Sequence, residues 1–308
     1  MTTMENNFEK ALEILRRGGL VAFATETVYG LGADAKNPDA ISKIFAAKQR
    51  PADFPLNILI PDVSHLAEWA IDIPENAYRL AEAFWPGPLT LILKKAPHVL
   101  DSITAGQPTV GLRVPNHAST LRLLKCFGRG LAAPSANRFG GLSPTTAEAV
   151  YEELGDAVDL ILDGGQSDIG VESTIVDLTL ERPMILRSGA ITQKEIEAVL
   201  GEPVLVKKQE SHVEPKTPIK LMSSTELDSY FEHITQKELP LIALLYRPRS
   251  KDNVDCVLMP RDPKKYAHEI YQTLRDADKK NAKQIIIEKV PETEEWKIVA
   301  ERLRKLES

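Results

Sequence analysis

The chain reads as an α/β protein of two domains, and three observations predict it. Short apolar runs recur along the first two thirds of the chain, with helix patterns between several of them. A length of 308 residues exceeds that of one ordinary domain. Periodicity then lapses over residues 201–218, where three prolines fall in a polar stretch that reads as a linker.

Taken in order, residues 8–17 predict a helix, with Leu12, Ile14 and Leu15 apolar and Gly18-Gly19 as its stop. An apolar strand follows over Gly19–Ala24. It enters a polar, aromatic and then glycine-rich loop, Thr25-Glu26-Thr27-Val28-Tyr29-Gly30-Leu31-Gly32. The paired glycines are read as room for close approach of a bulky ligand. Asn37-Pro38 caps the next helix, whose face is Ile41, Ile44 and Phe45 and which ends near Lys48. Strand-like runs lie at Leu56–Ile60, Leu89–Leu93, Val110–Val114, Leu131–Ala133, Leu160–Leu162, Thr174–Leu178 and Met184–Leu186. Thr145-x-x-Glu148 and Thr192-x-x-Glu195 read as capping boxes. Beyond the linker, Leu241–Leu245 and Gln284–Ile287 read as buried strands. Asp262-Pro263 opens a helix faced by Tyr266, Ala267, Ile270, Tyr271 and Leu274, and a last helix runs from about Glu292 to Leu306. The expected boundaries are 1–203 for the first domain, 204–218 for the linker and 219–308 for a small second α/β domain.

Composition narrows the function. A 43% hydrophobic, 27% charged chain can bury a good core. The polar start lacks the regions of a secretory signal, and no apolar run reaches membrane-spanning length, so a cytoplasmic protein without a membrane partner is expected. Cys126 and Cys256 are far apart, which argues against a disulfide framework or a cysteine zinc site. A net charge of −6 without a basic tract argues against tight nonspecific nucleic-acid binding. It leaves room for a local basic cleft and for no more than weak contact with double-stranded RNA.

Several chemistries lack their signature. Gly30-Leu31-Gly32 begins a dinucleotide fingerprint, but its distance from the strand and the absence of a following acidic residue break the match. There is no Walker A run, no H-x-x-x-H metal spacing and no nucleophile elbow. What accumulates is an inventory for a phosphate ester. Lys48 and Arg50 close a helix, Arg113 and Arg187 end strands, Ser135, Asn137 and Ser143 follow a strand on glycine-flanked loops, and Ser173 and Thr174 lie in Gly170-Val171-Glu172-Ser173-Thr174. Arginine offers a planar fork to phosphate or carboxylate, lysine a point charge. Singly, each has a plainer structural explanation; together, placed just after apolar strands, they point to one convergent site.

The run Thr25–Gly32, Lys48-Gln49-Arg50-Pro51, Trp85-Pro86-Gly87-Pro88-Leu89-Thr90, Ser135-Ala136-Asn137, Leu162-Asp163-Gly164-Gly165 and Gly170-Val171-Glu172-Ser173-Thr174 resemble the YrdC-type domain of threonylcarbamoyl-AMP synthases. The likeness covers about residues 8–200, and its signature pairs, K-x-R and S-x-N, are here Lys48/Arg50 and Ser135/Asn137. Residues 219–308 more weakly resemble the extra C-terminal domain of the longer members. The resemblance implies a twisted mixed-sheet domain with a large concave site, followed by a smaller Rossmann-like domain. It implies the conversion of L-threonine, bicarbonate and ATP to threonylcarbamoyl-adenylate and pyrophosphate, with magnesium sharing the phosphate charge. A separate tRNA threonylcarbamoyl transferase would use the product. By motif, Lys48, Arg50, Thr109, Ser135, Asn137, Ser143 and Arg187 would hold ATP, with Lys48, Arg50, Ser135 and Asn137 as the catalytic set. Thr27, Asn57, Arg113 and Ser173 would surround threonine, with Arg113 at its carboxylate. The chain departs from the family pattern at Ala24 and Ser188, where proline is usual. In the linker, His212-Val-Glu-Pro-Lys-Thr-Pro replaces a histidine-tyrosine-alanine-proline segment, so no linker residue is carried over. Two rival readings stand beside this one: an RNA-binding, translation-associated module, and a carbamoyl-adenylate enzyme with another amine substrate.

Overall fold

A computed structural model of the chain describes residues 3–207, 216–235 and 238–307. Two compact units emerge, one comprising Met1–Phe139 and Ser143–Gln209, the other Gly140–Leu142 and Glu210–Ser308.

In the first unit ten short strands form one mixed sheet. In chain order they are β1 (Val21–Phe23), β2 (Gly30–Asp34), β3 (Asn57–Leu59), β4 (Leu89–Lys94), β5 (Thr109–Arg113), β6 (Leu131–Ala132), β7 (Leu160–Leu162), β8 (Thr174–Asp177), β9 (Met184–Arg187) and β10 (Leu205–Val206). They lie side by side as β10-β9-β8-β4-β5-β3-β6-β2-β1-β7. Strand β4 runs antiparallel to β5 and parallel to β8, with Leu91 opposite Leu112 and Leu89 opposite Thr174. That register sets the end of β5 and the start of β8 against the start of β4, where much of the candidate site lies.

Alternation along β1 explains two cores. Val21 and Phe23 join Phe8, Leu12, Leu15, Leu123 and Phe127 in one cluster. Leu20, Ala22 and Ala24 join Leu31, Ile41, Ile58 and Leu112 in the other. Successive strand residues point to opposite faces, so β1 is buried on both sides. The helix Pro38–Lys48 begins at Asn37, whose side chain accepts hydrogen bonds from Asp39 N and Ala40 N, and Pro38 fills its first turn.

The second unit carries a four-stranded sheet of β11 (Ile219–Met222), β12 (Leu241–Leu245), β13 (Val254–Leu258) and β14 (Gln284–Glu288), ordered β11-β14-β12-β13 and parallel throughout. Its long helix, Pro263–Lys279, buries Tyr266, Ala267, Ile270, Tyr271 and Leu274 as its spacing predicts. Glu288, buried at the end of β14, accepts hydrogen bonds from Tyr246 N and Arg247 N at 2.9 Å and from Arg249 at 2.7 Å.

Three local expectations are corrected. Gly30–Asp34 is a strand, not a loop, and pairs with β1 and β6. Its glycines serve the core: a Cβ on Gly32 would lie 2.4 Å from the Phe23 ring. The helix Ala147–Leu154 is capped by Thr146, whose side chain accepts from Ala149 N, while Thr145 is fully buried and its carbonyl takes Ser167 N. Within the expected linker, Leu205–Val206 adds a parallel edge strand to β9. Residues 208–215, including His212, fall outside the described residues. Among the described residues no helix is long and apolar enough to cross a membrane.

Candidate active site

The loop between β1 and β2 is organised by its own side chains. Thr25 Oγ1 accepts from Thr27 N and Val28 N, at 3.2 and 3.3 Å, and donates to Val28 O at 2.6 Å. With that proton committed, Thr27 Oγ1 is the donor in the 2.9 Å contact between the two hydroxyls. Thr27 in turn accepts from Arg113 Nη2 at 3.1 Å. A directed chain of hydrogen bonds thus runs from guanidinium to loop backbone.

Arg113 ends β5 and is 7% exposed. Its Nε donates to Gly87 O at 3.1 Å, and its Nη2 lies 2.7 Å from Glu26 Oε1. The turn Trp85–Pro88 therefore supplies a carbonyl to the guanidinium, with Trp85 Nε1 fixing the turn on Leu89 O at 2.7 Å. Nη1 of Arg113 takes no partner among the described residues.

Backbone hydrogen bonds bring the other loops onto this one. Ile169 N and Gly170 N donate to Glu26 O and Thr27 O, and Tyr29 N donates to Pro144 O. Ala136 N donates to Tyr29 O, and Gly30 bridges to Ser135. Tyr29 is fully buried; its hydroxyl donates to Gly165 O at 2.7 Å and accepts from Gly164 N at 3.1 Å. Burial and the nearby Asp163 carboxylate push its phenol up to about 12, so it stays protonated and acts as a clamp.

The K-x-R segment divides its two charges. Gln49 closes the helix in the left-handed conformation (φ 51°), which separates the direction of Lys48 from that of Arg50. Lys48 is 1% exposed, and its ammonium donates to Ser135 O at 2.5 Å and to Asn137 O. It clamps the S-x-N turn from behind. Burial and the neighbouring Arg50 charge lower its pKa to about 7. Arg50 sits against the paired rings of Phe54 and Phe139, whose centroids are 4.8 Å apart and 5.6 and 5.5 Å from its guanidinium carbon, and donates to Pro55 O at 3.0 Å.

A third group centres on Ser173, whose Oγ lies 2.9 Å from Thr90 Oγ1. Arg187 donates from Nε to Ser173 O and from Nη2 to Ser173 Oγ, both at 3.0 Å. Ser143 Oγ donates to Glu172 Oε1 at 2.8 Å, and Asn137 is likewise buried. Asn57 opens β3 opposite Gly111, where a Cβ would meet its Oδ1 at 2.4 Å. Thr109 stands at the other end of β5 from Arg113, and no hydrogen bond joins its side chain to the cluster among the described residues.

Sequence reasoning did not assign site roles to Glu26, Tyr29, Thr90 and Glu172. The available signal was position: three of the four lie inside the motifs that carry the other site residues, and Thr90 ends one of them. No cluster of three acidic, histidine or cysteine side chains forms among the described residues.

Fold and site together define a class: an α/β protein whose strand-end loops gather buried arginine, threonine and serine side chains suited to a small anionic ligand. Residues 13–189 match the Sua5/YciO/YrdC family model, described as telomere recombination, and residues 191–306 match threonylcarbamoyl-AMP synthase, C-terminal domain. The chain belongs to this family, in its two-domain form. The threonylcarbamoyl-AMP synthase of Pyrococcus abyssi is 50% identical over 192 residues, covering 62% of this chain and 56% of that protein. The match thus spans little more than half of that relative's length. The threonylcarbamoyl-AMP synthase of Schizosaccharomyces pombe is 33% identical over 358 residues, covering 97% of this chain and 88% of that protein. The crystal structure of P. abyssi Sua5 complexed with L-threonine superposes with a TM-score of 0.88 at 37% identity, covering 97% of this chain and 93% of that one.

Proposed function

We propose that the chain is an L-threonylcarbamoyladenylate synthase, a nucleotidyltransferase that converts L-threonine, bicarbonate and ATP to threonylcarbamoyl-AMP and pyrophosphate. The observation that carries the reading is Arg113, a buried guanidinium held by Gly87 O and Thr27 Oγ1 with Nη1 left for a ligand carboxylate. The likeness to a relative described as complexed with L-threonine supports it.

In this reading Arg113, Thr27, Asn57 and Ser173 surround threonine. Its amine and bicarbonate give a carbamate with loss of water, the carbamate carboxylate attacks the α-phosphorus in line, and pyrophosphate leaves. The nucleophile is already anionic, so the protein's task is positioning and charge stabilisation rather than activation of a nucleophile. Arg50, Arg187, Thr109, Ser135, Asn137 and Ser143 serve the nucleotide. Lys48 contributes through the turn it clamps, since both Ser135 O and Asn137 O take hydrogen bonds from its ammonium. A magnesium ion bound to the triphosphate as part of the substrate would share its charge. The catalytic part is residues 1–203 with the edge strand Leu205–Val206 added to its sheet, the rest of 204–218 is the linker and 219–308 the accessory domain. The product passes, in the cytoplasm, to a transferase that modifies tRNA.

Pyrophosphate release from MgATP, with threonine and bicarbonate omitted in turn, tests the reading. Release that needs both substrates is expected. Release without threonine, or none from folded protein, would refute it.

A further inference from the structure

Glu26 is a buried charged group in this site that the synthase reading leaves without a role. Its side chain is 5% exposed and sits among Thr25, Thr27 and Arg113. Oε1 lies 2.7 Å from Arg113 Nη2, an ion pair by distance, yet neither carboxylate oxygen accepts an aligned hydrogen bond from any described residue. Buried carboxylates ordinarily take several hydrogen bonds, and leaving their oxygens unmet is costly enough that an exception needs an explanation. The nearby hydroxyls do not supply one, because Thr25 donates to Val28 O and Thr27 to Thr25.

Charge balance supplies an explanation. Without a ligand between them, as paired at 2.7 Å, Glu26 and Arg113 neutralise one another. A ligand carrying only a carboxylate would place two anions on one buried guanidinium, which a low-dielectric site penalises. An α-amino acid brings a carboxylate for Arg113 and an ammonium three bonds away, so that the four charges alternate in sign. Resting on the threonine reading above, we propose that Glu26 is the acceptor for the substrate's α-ammonium, and that Glu26 and Arg113 together select a zwitterionic amino acid. Glu26 is then a specificity-determining residue, and its unmet oxygens are the complement of a donor that arrives with the substrate.

The test compares two ligands by calorimetry on the full chain: L-threonine, and its deaminated analogue with a hydroxyl in place of the α-amine. The wild type is expected to favour L-threonine, and Glu26→Gln to shrink that preference by roughly tenfold or more, the worth of one charge-assisted hydrogen bond. A Glu26 that served solely as the counter-ion of Arg113 would move both affinities together when replaced, and an unchanged preference in folded Glu26→Gln would overturn the proposal. If Glu26→Gln does not fold, Glu26→Asp keeps the charge but withdraws it by one methylene. A reduced preference then supports the assignment and an unchanged one overturns it. Wild-type protein that binds neither ligand contradicts the threonine reading itself, which separates that failure from this one.

Discussion

Lys48 shows how a residue type can be legible while its hydrogen-bond partners are not. A lysine closing a helix beside an arginine predicts a cation for phosphate, whereas its ammonium is turned onto two main-chain carbonyls. Because folding lowers its pKa from 10.5 to about 7, the unfolded chain binds the proton more tightly between those values. Stability therefore rises with pH across that window, by on the order of a few kcal/mol in all. The neutral amine still donates two hydrogen bonds, so the clamp outlasts the charge. In thermal melts, wild type should gain on Lys48→Met as pH rises from about 7 toward 10.5. Parallel pH dependences for the two proteins would place the titration elsewhere. The opposite case is Arg113, whose placement at a strand end was readable from an apolar run ending in arginine. Its partners were not, since Gly87 and Glu26 are distant in the chain and meet it only through the β4–β5 register and the first loop.

At the scale of elements, the legible ones bury a continuous apolar stripe or carry a cap. Leu160–Leu162 stands where the apolar run predicts it, and Asn37, Thr192 and Asp262 cap their helices as expected. Strand β2 was hidden because Gly30 and Gly32 have no side chains to show a period of two. Its glycines pack against Phe23 instead of opening toward a ligand. Gly32→Ala should cost about 1–3 kcal/mol of stability by overpacking that ring, and Phe23→Leu in the same chain should recover part of the loss. Denaturant titrations of both singles and the double check this. Threonine affinity of the folded Gly32→Ala protein should match wild type; a specific loss of affinity would return the glycine to the site. The edge strand β10 was hidden for a different reason, since both of its residues are exposed in a stretch without periodicity.

For the whole molecule, the two-domain α/β organisation follows from length, recurring apolar runs and the proline-bearing break, and the two sheets bear it out. The convergence of loops 25–29, 134–137, 143–144 and 169–173 does not follow from spacing, because it depends on strand order across the ten-stranded sheet. That order places chain-distant serines, threonines and arginines at neighbouring strand ends, where a carbamate and a nucleotide could be held in line without a protein nucleophile. The most direct measurement of this claim is mass spectrometry of the adenylate formed by the full chain from MgATP, L-threonine and carbon-labelled bicarbonate. One labelled carbon in a threonylcarbamoyl-AMP product, with pyrophosphate in equal amount, is the result expected. An adenylate without the label, or phosphate and ADP in place of pyrophosphate, would contradict it.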